Sequence, residues 1–132
     1  MIVGFENSDD AGVFRLNSET ALVQTLDFFT PVADDPFTYG QVAAINSLND
    51  VYAMGGRPRA ALAGAAFPKE DERSVLATIF RGGLDKLAEA GVKVSHQRFD
   101  GQIHAFWQMP GVFPAALAAA DQAAGELKAA FA

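Results

Sequence analysis

The sequence predicts an α/β sandwich in which helices cover one face of a mixed β-sheet, with the element order ββαβαβα. Three observations favour this fold class. Short apolar runs rich in Val, Leu and Phe are typical of strands, and longer segments carry apolar residues at helical spacing and end at glycine. The two kinds of segment also alternate along the chain. With 132 residues, we expect one domain over residues 1–132.

The first two elements are predicted strands joined by a polar turn. Residues 11–16 (AGVFRL) and 20–29 (TALVQTLDFF) are apolar runs, and the polar residues NSE lie between them. Two such runs around a short polar connection are typical of a β-hairpin.

The third element is a helix within residues 34–56. Asp35 stands directly before Pro36, and proline is well suited to the first position of a helix. Apolar residues follow at helical spacing until a pair of glycines ends the segment. Asp34 and Asp35 are interpreted as caps of the helix start.

The remaining four elements continue the alternation. Residues 59–68 (RAALAGAAFP) predict a buried strand, and residues 69–91 predict an amphipathic helix with an acidic first turn and a glycine at its end. Residues 92–100 (VKVSHQRFD) alternate between apolar and polar like a strand. The alanine-rich residues 113–132 predict a final helix.

The composition excludes several classes of protein. A net charge of −6 with 50% hydrophobic residues indicates an acidic, well-packed globule, and no basic patch predicts a nucleic-acid partner. The chain has no cysteine, so a disulfide framework and a thiolate metal site are excluded. No apolar stretch reaches the length of a signal sequence or a membrane span, so we expect a cytoplasmic protein without a membrane partner.

Three aspartates are candidate ligands of a hard cation. Asp10 precedes the first strand, and Asp50 lies inside the first helix. Asp27 follows a strongly apolar run and is followed by Phe28 and Phe29. A carboxylate removed from water is costly unless it is paired, hydrogen-bonded or bound to a cation, and oxygen ligands suit divalent cations. The residues alone leave two readings open: a metal site, or ordinary solvated carboxylates.

Long stretches around these aspartates resemble a known family. The stretches SDDAGVFRL and ALVQTLDFFTPVADDPFTYGQVAAINSLNDVYAMGGRP resemble the ATP-binding N-terminal half of selenophosphate synthetase. That family belongs to a superfamily with aminoimidazole ribonucleotide synthetase and thiamine-monophosphate kinase. The resemblance runs over residues 2–92, and residues 1–90 are therefore interpreted as an ATP-binding fragment.

This resemblance implies a cofactor, a partner and a set of site residues. It implies that Asp10, Asp27 and Asp50 hold magnesium ions that bridge the phosphates of ATP. It also implies a homodimer, because N-terminal domains of the family pair through their sheets into a closed barrel. The family's glycine-rich segment with a reactive cysteine or selenocysteine, and its C-terminal domain, have no counterpart here, so selenophosphate synthesis itself is not expected.

The end of the chain resembles a different family. From residue 87 onward, the sequence is similar to the last strand and helix of a hormone-sensitive-lipase-type α/β-hydrolase esterase. Its D-G-x-I-H-x-F motif carries the histidine of a catalytic triad, which matches His104, although Ala105 follows where the family usually has glycine. Residues 91–132 are therefore interpreted as an esterase-like part, and the whole chain as a chimera of two fragments.

The role of His104 is left open between alternatives. The chain has no G-x-S-x-G elbow to supply a serine nucleophile, so a residual carboxylesterase is disfavoured. His104 is either a packing or solvent-exposed side chain, or it joins the aspartates together with or instead of His96. An imidazole among carboxylates would shift the preference of the site from magnesium toward zinc or manganese.

Two functions follow from the sequence. The first is a metal-dependent hydrolase of phosphate esters, with a divalent cation (Mg, Mn or Zn) on the three aspartates and His96 or His104 as ligand or general acid/base. Its ligand would be a small phosphate-containing molecule. The alternative is a non-catalytic, dimeric chimeric fragment that retains binding of Mg-ATP.

Overall fold

A computed structural model describes residues 1–4, 6, 8–65, 72–93, 99, 106 and 109–131. Its elements are two strands and three helices: β1 (Gly12–Arg15), β2 (Ala21–Gln24), α1 (Pro36–Ala53), α2 (Arg73–Glu89) and α3 (Pro114–Ala130). The chain divides into two compact units, Met1–Val92 and Lys93–Ala132. The first unit holds both strands with α1 and α2, and the second holds α3.

The predicted hairpin is confirmed, with strands shorter than the apolar runs. β1 and β2 pair antiparallel, so that Phe14 lies opposite Leu22. The side chain of Asn17 closes the connection, because its Oδ1 accepts hydrogen bonds from the backbone N–H groups of Glu19 (2.9 Å) and Thr20 (2.8 Å). Asparagine is favoured in turns because its side chain can satisfy nearby backbone donors in this way.

The start of α1 lies where the sequence predicts it. Asp35 is the N-cap residue, and its Oδ2 accepts a hydrogen bond from the backbone N–H of Thr38 at 2.7 Å. Pro36 follows as the first helical residue, where its missing N–H costs nothing. The bond from Thr38 holds the pKa of the Asp35 carboxyl below its ordinary value of 3.8.

Both helices of the first unit end at a glycine with positive φ. Gly55 has φ +70° after α1, and its N–H donates to the carbonyl of Tyr52 at 2.9 Å. Gly91 has φ +77° after α2, and its N–H donates to the carbonyl of Ala88 at 3.0 Å. Glycine adopts this left-handed conformation without the steric penalty of a side chain, so the predicted ends of both helices are confirmed.

The buried apolar side chains of the described residues are small in number and size. In the first unit they are Ala11, Leu48 and Val92, and in α3 they are Ala116 and Ala119. Many larger apolar side chains are exposed instead. None of the described helices is both long enough and apolar enough to cross a membrane.

The predicted third strand is not formed over residues 59–65, so the order ββαβαβα is not confirmed. These residues have no regular secondary structure and are exposed, and the side chain of Leu62 is 92% accessible. The physical reason is the composition of the segment, because alanine and glycine bury little apolar surface and have low strand propensity. Most of the predicted strand over residues 92–100, and residues 66–68, lie outside the described residues.

Candidate functional site

The residues that follow β2 lie along helix α1. Thr25, Asp27 and Phe29 are half-buried, whereas the residues between them are exposed. This two-residue period is that of extended backbone, in which every second side chain points to the same side. Consequently, one apolar and two polar side chains of residues 25–29 face α1.

Two of these side chains make hydrogen bonds with residues near the end of α1. The hydroxyl of Thr25 donates to Oδ2 of Asp50 at 2.6 Å, and the hydroxyl of Ser47 donates to Oδ2 of Asp27 at 3.1 Å. Residues three apart in a helix lie on the same face, so Ser47 and Asp50 both reach the extended residues. We call these four side chains the Asp27–Asp50 cluster.

A third contact fixes the extended residues farther along the same helix. The hydroxyl of Tyr39 donates to the backbone carbonyl of Phe29 at 2.9 Å. The two rings also meet edge to face, with centroids 5.9 Å apart and an interplanar angle of 87°. This arrangement is favourable for aromatic pairs, and it fixes the direction in which residues 25–29 run against α1.

The two carboxylates of the cluster have neutral partners. Both are half-buried, and each accepts a hydrogen bond from a hydroxyl group. In the part of the chain that the structure describes, the one ion pair is that of Lys86 with Glu89, so no lysine or arginine compensates Asp27 or Asp50 there. Carboxylate oxygens are the ligands that hard divalent cations prefer, so Asp27 and Asp50 are candidate ligands of such a cation.

Asp10 makes no hydrogen bond to the Asp27–Asp50 cluster within the described residues. It lies exposed in the bend before β1, next to the buried Ala11. Among the described residues, no group of three or more His, Cys, Asp or Glu side chains is arranged to hold a metal ion. The structure thus connects Asp27 and Asp50 through their hydroxyl partners, and Asp10 as a third ligand stays a prediction.

The two histidines lie outside the described residues. This applies to His96 and to His104, together with most of the D-G-x-I-H-x-F motif. Their predicted roles as ligand or general acid/base stay predictions.

Thr25 and Ser47 are site residues that sequence reasoning missed. A signal for them was present, since Thr25 precedes Asp27 by two residues in an extended run and Ser47 precedes Asp50 by three residues in a helix. Each hydroxyl therefore lies on the same face of its own segment as one aspartate. Which hydroxyl meets which carboxylate depends on how the two segments align, and local spacing does not specify that.

The model of the family described as "AIR synthase related protein, N-terminal domain" matches residues 8–96, which is more than half of the chain. The chain belongs to this family. The predicted resemblance to the N-terminal part of selenophosphate synthetase is thereby confirmed at the level of the family. The match includes all three candidate aspartates.

Curated relatives of the chain carry the name "Selenide, water dikinase". The protein from Pelobacter propionicus is 55% identical over 93 residues, which cover 70% of this chain and 27% of the relative. The protein from Clostridioides difficile is 54% identical over 91 residues, which cover 69% of this chain and 26% of the relative. The chain therefore spans about a quarter of the length of the relatives it matches. No solved structure matches the chain.

These names correct the first of the two predicted functions. The prediction of a hydrolase acting on phosphate esters is wrong, because the relatives are named as dikinases. The reason for the error is chemical: carboxylates that hold a divalent cation serve phosphoryl transfer to many acceptors, and the carboxylates themselves do not identify the acceptor. The alternative, binding of Mg-ATP, agrees better with these relatives.

The family match does not test the esterase resemblance. The family match ends at residue 96, before the D-G-x-I-H-x-F motif. The esterase-like origin of residues 91–132, and with it the interpretation of the chain as a chimera, stays a prediction.

Proposed function

We propose that this chain binds ATP together with a divalent cation, and that Asp27 and Asp50 are the cation ligands at the center of this activity. The observation that carries the proposal is the Asp27–Asp50 cluster itself. Two half-buried carboxylates, one on the extended residues and one on α1, are each held by a hydroxyl group of the opposite segment, without a cationic partner among the described residues. Asp10 is proposed as a further ligand, because it precedes β1 at the same end of the hairpin at which Thr25 and Asp27 follow β2.

The charge of the chain supports a cation between protein and nucleotide. The chain has a net charge of −6, and the phosphates of ATP are also negative. Unit charges of like sign about 4 Å apart repel by about 4 kcal/mol near a protein surface. A divalent cation, when bound, neutralises charge on both sides, and Asp27 and Asp50 would then hold the nucleotide through it.

The donor atoms of the cluster favour magnesium or manganese over zinc. The atoms that the cluster offers as metal ligands are oxygens, of carboxylate and hydroxyl groups. Oxygen donors suit magnesium and manganese, whereas zinc prefers sites that include imidazole or thiolate. The predicted addition of His96 or His104 would change this preference.

We propose nucleotide binding for this chain and not the whole reaction of its relatives. The names of the relatives describe phosphoryl transfer involving selenide and water, and the chain matches about a quarter of their length. We therefore propose that the chain contributes the nucleotide-binding step of such chemistry. Activity of the whole relatives would require the groups supplied by the rest of their length.

The proposed active form is a homodimer. The exposed side of the residues after β2 carries Leu26 and Phe28, which are 90% and 76% accessible. The register of the hairpin puts Phe14 of β1 on the same face, since it lies opposite Leu22 and side chains alternate along a strand. A second copy of this chain would cover this apolar face, in agreement with the sheet pairing that the family resemblance implies.

Calorimetric titration with ATP in the presence of Mg²⁺ tests the proposed function. We expect saturable binding by the native chain that disappears when EDTA is added. Asp27→Asn and Asp50→Asn keep the shape of each side chain but remove one charge. Each should weaken binding by more than about tenfold, since loss of an outer partner of a metal ligand alone costs about 10–100-fold.

A matched control separates this effect from a change in net charge. Asp121 is an exposed carboxylate in α3, and Asp121→Asn removes the same charge. This variant should bind Mg-ATP like the native chain. Absence of binding by the native chain, or equal binding by all four proteins, would reject the proposed function.

A further inference from the structure

We propose that Thr25 and Ser47 are positioning residues that orient the two carboxylates for a cation; this inference rests on the proposed function. Each hydroxyl donates to the carboxylate carried by the other segment: Thr25 to Asp50 at 2.6 Å and Ser47 to Asp27 at 3.1 Å. Each of the two bonds therefore joins the extended residues to α1. Neither carboxylate can turn without breaking the bond that comes from the opposite segment.

The atoms used by these bonds fit an orienting role. Each hydroxyl donates to one oxygen of its carboxylate, Oδ2, and within the described part of the chain no hydrogen bond is formed to the other oxygen, Oδ1. A carboxylate has two oxygens and several acceptor positions, so occupation of Oδ2 leaves capacity for a cation at Oδ1. The hydroxyl bonds thus set the direction of the second oxygen of each carboxylate.

The neutrality of the donors is the second argument. A lysine or arginine at the position of Thr25 or Ser47 would orient the carboxylate equally well, but it would also compensate its charge and compete with a metal ion. A hydroxyl group orients the carboxylate and leaves its full negative charge for the cation. Outer hydrogen-bond partners that orient metal ligands in this way commonly determine metal affinity.

The chain provides a comparison that lacks this arrangement. The hydroxyl of Ser74 donates to Oε2 of Glu72 at 3.1 Å, the same length as the bond from Ser47 to Asp27. Ser74 and Glu72 are neighbours at the start of α2 and are exposed. Their bond is local, so its loss should not affect an ion held between the extended residues and α1.

Binding of Mn²⁺ alone, followed by electron paramagnetic resonance of the free ion, tests the inference without nucleotide or turnover. Thr25→Val removes the hydroxyl and keeps the branched shape of the side chain. Ser47→Ala removes the other hydroxyl and puts a strong helix former into α1, so this variant is expected to fold. Each should weaken Mn²⁺ binding by about tenfold, because outer partners of metal ligands typically contribute 10–100-fold.

Two further variants show whether the hydroxyl itself is responsible. Thr25→Ser retains the hydroxyl donor and should retain the native affinity for Mn²⁺. If Thr25 acted only through packing of its methyl group, Thr25→Ser would lose affinity as Thr25→Val does. Ser74→Ala is the matched control and should also bind like the native chain. Thermal unfolding in EDTA, measured for every variant, separates a loss of fold from a loss of affinity.

The outcomes distinguish this inference from the function on which it rests. Native Mn²⁺ affinity in folded Thr25→Val and Ser47→Ala would overturn the positioning role and leave the proposed function intact. If Thr25→Val does not fold, the result for Ser47→Ala decides alone. No Mn²⁺ binding by the native chain would reject the proposed function and this inference together.

Discussion

Gly40 of α1 packs directly against the backbone carbonyl of Ile79 in α2, so closely that a Cβ atom at residue 40 would overlap the carbonyl oxygen. Gly82 of α2 has the reciprocal relationship with the carbonyl of Phe37 in α1. The two helices therefore touch through their backbones at two places. This contact holds α2 against the helix that carries Ser47 and Asp50.

The first prediction concerns this contact between helices. In an exposed helix, glycine to alanine stabilises by about 0.5–1 kcal/mol. Gly40→Ala and Gly82→Ala should do the opposite and destabilise the first unit by about 1–3 kcal/mol, the typical cost of overpacking. Urea unfolding followed by circular dichroism measures the change.

Gly125 of α3 provides the control for these two variants. A Cβ atom at this position would have no neighbour within 4 Å. Gly125→Ala should therefore be neutral or stabilise α3 by up to about 1 kcal/mol. A gain of stability in Gly40→Ala or Gly82→Ala would contradict the close approach of α1 and α2.

The second prediction concerns the cap of α1 and its pH dependence. The hydrogen bond from the N–H of Thr38 lowers the pKa of Asp35 below 3.8. A carboxyl group with a lowered pKa in the folded state stabilises the fold fully above its unfolded pKa, and this stabilisation is lost as the pH falls through the folded pKa. Asp35→Ala should be less stable than the native chain at pH 7, and the difference should shrink as the pH is lowered below 3.8.

Asp35→Asn separates the cap from the charge. Asparagine is a good N-cap residue but does not titrate. This variant should keep most of the stability that Asp35→Ala loses at pH 7, and its difference from Asp35→Ala should not change with pH. Chemical unfolding at a series of pH values measures both differences, and a pH-independent deficit of Asp35→Ala against the native chain would exclude a role of the charge.

The third prediction concerns the anchor between Tyr39 and Phe29. Tyr39→Phe keeps the edge-to-face contact of the rings but removes the hydrogen bond to the carbonyl of Phe29. The expected cost is about 0.5–1.5 kcal/mol, the usual net contribution of one such bond. Tyr52→Phe is the control, since Tyr52 is 48% exposed and its hydroxyl makes no hydrogen bond within the described ranges. Equal stability of both variants with the native chain would show that the anchor bond does not contribute.

Local patterns predicted part of this fold. The hairpin and the ends of α1 follow from signals within a few residues, such as Asp35 before Pro36 and the glycine at position 55. The strand predicted over residues 59–68 is not formed over residues 59–65, because alanine and glycine bury little apolar surface and the apolar run does not show whether a partner strand covers it. The exposed Leu62 is the clearest sign of this failure.

The candidate site was predicted in its residue types and missed in its connections. The sequence predicts Asp27 as a candidate because it lies in an apolar run and Asp50 because it lies inside a helix, and the structure brings both to the interface between the extended residues and α1. The bonds from Thr25 and Ser47 depend on the alignment of two segments that are distant in sequence. Such an alignment is a property of tertiary packing and leaves no periodic signal.

The fourth prediction concerns the proposed homodimer. Leu26 and Phe28 are exposed in the single chain, so replacing them should not disturb its fold. Leu26→Lys and Phe28→Lys would place a charge in the proposed interface and remove about 1.5–3 kcal/mol of apolar burial each. The dissociation constant of the dimer should therefore be roughly tenfold or more higher for each variant than for the native chain.

Sedimentation equilibrium over a range of protein concentrations measures this dissociation. Leu117→Lys is the control, because Leu117 is an apolar side chain of α3 that is 58% exposed. It introduces the same charge in the second unit and should dimerise like the native chain. A native chain that sediments as a monomer, or a Phe28→Lys variant that dimerises unchanged, would show that this apolar face is not the dimer interface. Circular dichroism of each variant tests whether the hairpin and helices are retained. With the fold retained, a lower average molecular mass in solution reports on dissociation of the dimer alone.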